Sequence, residues 1–394
     1  MLFEFSYYSS LLLLGFIQGL IYSGLLFYRG YKSDRLSDKL LAWVLVICSF
    51  SIAQYMLGFG GWYDSRDGHS TFMFYFPFQN FLFLGPCIYY YFRSLTNEQF
   101  KFQRKDLWHF IPGLIGLAFY FFPFILDVVI TRGILGEPFN FHSGTQGQWS
   151  QFRQNVLGNI THPLGMISAL VYIVLTIRQF RQYKAYVLNN FSETEDVELG
   201  WLRVVLWTFV IGAGINWGFD LISIFVPFTY AQHWNSFFTT ALMIYFFSIP
   251  GYSFTYKMPS LDFDPQQSKP DTNDTFPELP IWKTKLEQIM QSEKPYLNAD
   301  LTLSHLAKML NTNTSILSKV INQGFQQNFN DFVNAYRVQC MQQKMILPQY
   351  QNYTLMSTAF ECGFNSKATF NRAFKKFSGI SPKEFIKKHQ NTNN

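Results

Sequence analysis

GFNSKATFNRAFKKFSGISP, residues 363–382, has the pattern of a capped amphipathic helix set between two turns. Gly363 marks a tight turn. Ser366 stands where a helix-capping hydroxyl accepts a bond from a first-turn amide. Phe370, Phe374 and Phe377 recur at spacings of four and three, the buried stripe of an amphipathic helix. Asn371, Arg372, Lys375 and Lys376 fall on its other faces. Gly379 and Pro382 then punctuate the chain before another short helix. A positive helix held by aromatics after a tight turn is the way a recognition helix is presented to a DNA groove.

The rest of the chain has a different character. Its 394 residues exceed one ordinary domain, and it is 48% hydrophobic, 20% aromatic and only 14% charged. Residues 280–394 hold fourteen Lys and Arg against six Asp and Glu, a balance of +8. The remaining residues carry seventeen against nineteen, a balance of −2. The basic character sits in the tail, which points to an anionic partner there. Cys48, Cys87, Cys340 and Cys362 show neither metal-site nor disulfide spacing and read as apolar fillers.

Residues 1–256 contain seven long apolar runs, near 7–28, 37–58, 71–92, 108–126, 158–178, 201–226 and 231–249. Each approaches the roughly 20 residues a helix needs to cross the hydrocarbon. The first does not read as a cleavable signal peptide, because Glu4 stands where a basic cluster belongs. Lys and Arg sort the loops. Arg29, Lys32, Arg35, Lys39, Arg93, Lys101, Arg104, Lys105, Arg178, Arg181, Lys184 and Arg203 fall on one side, and Arg66, Arg132 and Arg153 on the other. The positive-inside rule then sets the amino terminus outside and the carboxyl terminus in the cytoplasm, beside DNA.

Polar groups interrupt the spans toward their outer ends. They are Gln54, Gln79, Asn80, Asn159, His162, Asn216, Asp220, His233 and Asn235. An ionisable side chain such as Asp220 inside a span faces the bundle interior or a wet cavity. Two readings stand. Gln79, Asn80, His162, Asn216, Asp220 and His233 form a ligand-sensing pocket, or these groups are interhelical hydrogen bonds that hold the bundle. The outer loop near 127–157, with His142, reads as a surface loop or a cover for that pocket.

Residues 257–279, KMPSLDFDPQQSKPDTNDTFPEL, read as a flexible linker with a reach of roughly 25 Å. Beyond it two segments resemble each other: TLSHLAKMLNTNTSILSKVI, 302–321, and TLMSTAFECGFNSKATFNRAF, 354–374. Ala307 matches Ala359. Leu317, Lys319 and Ile321 match Phe370, Arg372 and Phe374, with one extra residue in the second turn. Each copy reads as a helix-turn-helix unit. NFNDFVNAYRVQCMQQKMIL, 328–347, reads as a stiff helix between them, ending before Pro348. Such a pair can set two recognition helices in successive major grooves, about 34 Å apart.

These residues resemble the carboxyl-terminal DNA-binding domain of AraC/XylS-type bacterial transcription regulators. AFECGFNSKATFNRAFKKFSGISPKEF, LTLSHLAKMLNTNTSILSKVI and FNDFVNAYRV carry the resemblance, which covers about the last hundred residues. Asn311 stands at the first turn where many members carry Gly. Asn tolerates the left-handed backbone, so the turn is expected to survive. The amino-terminal half resembles the multi-pass membrane variety of the family rather than its soluble barrel.

The expected fold is all-α. A seven-helix transmembrane bundle (1–256) is followed by the linker (257–279) and a cytoplasmic AraC-like domain with two helix-turn-helix units (280–394). Expected DNA contacts are Thr314, Ser315, Ser318 and Lys319 in the first unit. In the second they are Ser366, Lys367, Thr369, Asn371, Arg372, Lys375 and Lys376. Arg372 and Lys367 lead for bases, with Asn371 and Thr369 beside them, and Lys375 and Lys376 for phosphate. Each such cation also has a reading as a solvated surface charge. Arg337, on the connecting helix, reads as a phosphate contact or a surface charge.

No hydrolase, nucleotide-loop or metal motif was found, so neither an enzyme nor a cofactor is expected. The expected partners are double-stranded DNA, the lipid bilayer of the inner membrane, and an unidentified small-molecule or membrane signal. A second copy of the chain joins them if the tail responds by dimerising. The rival reading is a membrane receptor or transporter whose tail binds a protein.

Overall fold

The computed structural model describes residues 3–97, 100–193, 199–254, 276–350 and 352–392. Among them every regular element is helical. The chain forms two compact units. One joins Met1–Phe180 with Gly200–Asp262, and the other joins Arg181–Leu199 with Phe263–Asn394. Most of the expected linker, residues 257–275, lies outside the described residues.

The first unit opens on α1 (Tyr7–Lys32), capped by Ser6 in a reciprocal box with Ser9. Arg29 near its end meets Asp38 in the first turn of α2 (Leu36–Phe59) at 2.6 Å, closing the hairpin with a buried carboxylate. α2 is the most enclosed of the long apolar helices. Against it pack α1, α4 (Leu84–Thr96) and α9 (Tyr230–Phe254). The approach of α1 is close: a Cβ at Gly19 would run into the Ser49 hydroxyl.

The apolar run 71–92 is not one helix. α3 (Gly68–Tyr75) stops, and Phe76 turns to extended backbone with ψ 134 before Pro77. The pyrrolidine ring disfavours helical backbone at the preceding residue. α4 begins only after a short 3-10 turn at Phe81–Phe83. Gln79 and Asn80 fall in this break.

α5 (Ile111–Pro123) continues as a wide π-turn through Ile134. Part of the expected outer loop is therefore helical, and the rest is tied down through Asp127. That buried carboxylate accepts from the Tyr75 hydroxyl at 2.9 Å. It also accepts from the amides of Trp149 and Ser150 at the start of α6 (Gln148–Phe152), at 3.1 and 2.8 Å. α7 (Gly158–Asn190), which passes into the second unit at Arg181, and α8 (Leu199–Phe225) follow.

Five helices among the described residues are long and apolar enough to cross a membrane: Tyr7–Lys32, Leu36–Phe59, Arg104–Ile134, Ile160–Asn190 and Gly200–Ser223. Large apolar side chains such as Leu114, Phe121, Ile167, Leu170, Trp207 and Ile211 are exposed on three of them. α9 is as long but carries Gln232, His233, Asn235, Ser236, Thr239 and Thr240 in its first half, and is not among the five.

The second unit is built around α13 (Phe329–Met345), capped by Asn328, whose side chain accepts from the Asp331 amide at 2.8 Å. Phe329, Phe332 and Val333 enter one core with Leu286 and Met290 of α10 (Leu279–Ser292). Leu306 and Ala307 of α11 (Leu303–Met309) and Leu317 of α12 (Thr314–Lys319) fill the same core. Val338 and Met341 enter a second core with Ala359 of α14 (Leu355–Glu361) and with Phe370, Ala373 and Phe374 of α15 (Lys367–Ser378). α16 (Pro382–Thr392) adds Phe385. One helix thus supplies a wall to both cores.

Arg337 of α13 departs from both sequence readings. It is fully buried and is among the largest enclosed side chains of the described residues. It donates to the carbonyls of Tyr296, Asn298 and Ala299 at 2.8, 2.8 and 3.2 Å. Five donors in a rigid fork suit a cluster of carbonyls that no other side chain satisfies so fully. Burial pulls its pKa down to about 10, which still leaves it charged near neutral pH.

Candidate nucleic-acid interface and bundle cavity

Two helix pairs flank α13. In the first, Thr302 caps α11 and Asn313 caps α12, their side chains accepting from the amides of His305 and Ile316 at 3.2 and 2.8 Å. Asn311 takes the left-handed conformation at φ 52, as expected of Asn at that turn. In the second, Thr354 caps α14 and Ser366 caps α15. Gly363 has φ 86, and a Cβ there would strike the Tyr296 carbonyl, so only glycine fits. The two alanines one turn before each bend, Ala307 and Ala359, are both buried. The paired positions Leu317 and Phe370, and Ile321 and Phe374, are buried as well.

α15 is a charged surface on an aromatic base. Phe364, Phe370, Phe374 and Phe385 meet in successive edge-on contacts with centroids 5.5 to 5.7 Å apart. Lys367, Asn371, Arg372, Lys375 and Lys376 are exposed. Positions 367 and 371, and 371, 372 and 375, are neighbours on one side of the helix by its 3.6-residue period. Lys376 is engaged elsewhere: its amine lies 2.7 Å from Asp331 of α13.

Four expected contacts sit differently. Thr369 is almost fully buried, because it shares the inward stripe with Phe370 and Ala373. Its hydroxyl donates to the Glu193 carboxylate at 2.8 Å. Ser366 is half-buried, and its hydroxyl accepts from the Thr369 amide at 3.1 Å. In the first pair Thr314 and Ser315 are exposed, but Ser318 and Lys319 are half-buried. α12 passes after six residues into a π-turn at Val320–Gly324, which carries Asn322 to within 3.2 Å of the Ser318 hydroxyl.

The first unit holds a half-open cavity of about 640 Å³. Gln79, Asn80, His162, Asn216, Asp220 and His233 all line it. Asp220 of α8 faces His162 of α7, with Oδ2 and Nε2 3.7 Å apart. The amide of Asn80 donates to the Gly113 carbonyl at 3.0 Å, and Asn216 bonds Ser236 of α9. Some of these groups therefore join helices while others face open space. Unforeseen at the same cavity is Arg153. Its guanidinium donates to the Phe74 carbonyl at 2.8 Å and lies 4.1 Å from the Tyr120 ring centroid. In the sequence it read only as a loop charge.

Residues 306–388 match the family model of a helix-turn-helix domain. The chain is 31% identical over 101 residues to an uncharacterized HTH-type transcriptional regulator of Staphylococcus aureus strain COL. Counterparts in strains MSSA476 and N315 match equally well. The alignment covers 26% of this chain and 13% of each relative. No solved structure matches the chain. The carboxyl-terminal domain is a helix-turn-helix domain of AraC type.

Proposed function

We propose that the chain is a membrane-anchored transcription regulator that binds promoter DNA sequence-specifically and couples that binding to a signal received by its amino-terminal bundle. The observation that carries this is the exposed row Lys367, Asn371, Arg372 and Lys375 on a capped helix inside a domain of AraC type. Arg372 can meet guanine and Asn371 adenine with paired bonds, while Lys375 supplies phosphate contact. Both helix pairs act as helix-turn-helix units. Thr314 and Ser315 take the lighter share of base contact, because the first pair offers less charge.

In this reading seven segments span the bilayer of the inner membrane. The run 71–92 crosses as a broken helix, and α9 closes the bundle. A broken helix at membrane depth is tolerated where it lines a cavity, and Gln79 and Asn80 line this one. The amino terminus lies outside and the basic domain in the cytoplasm, as the Lys and Arg distribution requires. The cavity is the site where the signal acts.

Genome-wide DNA occupancy of the intact chain in its own cells tests the reading, with a chain lacking residues 280–394 as control. Discrete occupied promoters that vanish in the control are expected. Occupancy no different from the control would leave the tail as a protein-binding module.

A further inference from the structure

We propose that residues 191–193 are a built-in competitor for DNA, with the Glu193 carboxylate standing at the first turn of α15 in the place of a nucleic-acid phosphate. The proposal rests on the DNA-binding reading and adds to it what keeps the intact chain in a weak-binding state.

The segment follows α7 directly and precedes α8, yet it belongs to the same compact unit as the helix-turn-helix domain. It is held there along its backbone. Phe191 bridges Thr302, and the Ser192 amide donates to the Leu301 carbonyl at 3.2 Å. Asn330 of α13 donates to the carbonyls of Phe191 and Ser192 at 3.2 and 2.8 Å. Ser192 is fully buried and Glu193 nearly so. These bonds fix a short stretch of chain in a groove of the domain, and Glu193 is the residue they deliver to α15.

Where they deliver it gives the contact its meaning. Thr369 is the third residue of α15, in the turn whose amides carry the positive end of the helix dipole. A helix start of this kind, with a hydroxyl donor beside it, is a ready phosphate site. The Thr369 hydroxyl meets the Glu193 carboxylate at 2.8 Å and lies 3.4 Å from Nη2 of Arg372. The carboxylate is thus one hydroxyl away from the residue best suited to read a base. A DNA phosphate brought to this turn meets a buried carboxylate whose charge the Arg337 guanidinium offsets only in part. Like charges so placed repel more strongly than the same pair in solvent. Withdrawing the segment removes the repulsion and frees the Thr369 donor. Because α7 ends at Asn190, any displacement of that helix end reaches residues 191–193 through the next peptide bond.

The test uses the intact chain in lipid nanodiscs and a fluorescent mixed-sequence duplex of about 60 base pairs, read by anisotropy at about 50 mM and 200 mM salt. Glu193→Gln keeps an oxygen to accept from Thr369 and removes the charge. Its Kd at the lower salt is expected to fall on the order of tenfold, with thermal melting unchanged. Equal or weaker binding than the parent chain overturns the competitor while leaving the DNA reading intact. No binding by either chain overturns both. A second measurement needs no variant: duplex added to the parent chain should speed amide hydrogen exchange in the peptide covering residues 188–193. Unchanged exchange with duplex bound also overturns the proposal.

Discussion

Arg337 and Ser192 lie 145 residues apart in sequence, and the guanidinium Nη2 of the first donates to the hydroxyl of the second at 3.0 Å. The same hydroxyl donates in turn to the Leu301 carbonyl at 2.7 Å. A buried cation, a buried serine and the turn before α11 are therefore parts of one hydrogen-bonded knot. The turn at Tyr296, Asn298 and Ala299 is tied in through the same guanidinium.

Replacing Arg337 by Ala takes the guanidinium donor from the Tyr296 carbonyl and leaves those of Asn298 and Ala299 with only the Leu301 amide and the Ser192 hydroxyl. We expect a loss of about 3 kcal/mol or more in the stability of the tail. Arg337→Lys recovers only part of it, since one ammonium cannot span the fork. Ser192→Ala is expected to cost about 1 kcal/mol. The check is the rate of limited proteolysis within residues 276–392 of the detergent-solubilised chain, followed against urea.

Two glycines with left-handed backbone make a matched pair. Gly363→Ala combines positive φ with a collision at the Tyr296 carbonyl, and should unfold the second helix pair or cost upwards of about 3 kcal/mol. Gly379→Ala has the same sign of φ but meets open space, so a loss of about 1 kcal/mol is expected. Similar losses at both positions would count against the close approach of the turn at 363 to Tyr296.

On the DNA face, Arg372→Ala should cost about 1–3 kcal/mol on a preferred site and relax preference there. Lys375→Ala should weaken all duplexes alike and lower the salt slope by about 1. Lys376→Ala should do less, because its amine already pairs with Asp331. Titrations at several salt concentrations separate the three. A Lys376 effect as large as that of Lys375 would mean that the pair opens on binding.

Cys340 and Cys362 bring their sulfurs to 2.8 Å across α13 and the end of α14. With the Cys362 thiol as donor, the thiolate is favoured at Cys340, and Lys344 and Lys294 assist. The Cys340 pKa falls from 9.0 to about 7, while that of Cys362 rises. Since the thiolate is the nucleophile, Cys340 alkylation by iodoacetamide should climb through pH 7 and level off by about pH 8. An ordinary thiol climbs later. Cys362→Ser weakens the donor and should move the profile toward higher pH. Mass spectrometry of the labelled tail reads both.

The helical class, the doubled helix pairs and the inward Phe stripe of α15 were legible because each rests on local periodicity and capping. Asn311 was legible for the same reason. The break at Phe76 was also written in the sequence, at Pro77, but an apolar run masks a proline when only hydropathy is followed. Arg337 and Thr369 were not legible. Arg337 meets the turn at 296–299 and Ser192, and Thr369 meets Glu193, and nothing near either position signals partners so distant in the chain. The six polar groups that line the cavity were singled out by type alone. Their meeting at one cavity follows from the packing of helices whose order in space the sequence does not state. Arg153 was hidden by serving first as a loop charge.

Read as a string, the protein invites cutting at residues 257–279, with an anchor on one side and a portable DNA-binding module on the other. The knot at Ser192 says otherwise. Grafting only residues 276–392 onto another anchor leaves Arg337 and Asn330 without part of their natural complement. The same graft leaves Thr369 without Glu193. The transplantable part is discontinuous: the tail together with residues 191–193. A chimera carrying both is the one expected to keep the parent's stability and restraint, and one carrying the tail alone would inherit neither in full.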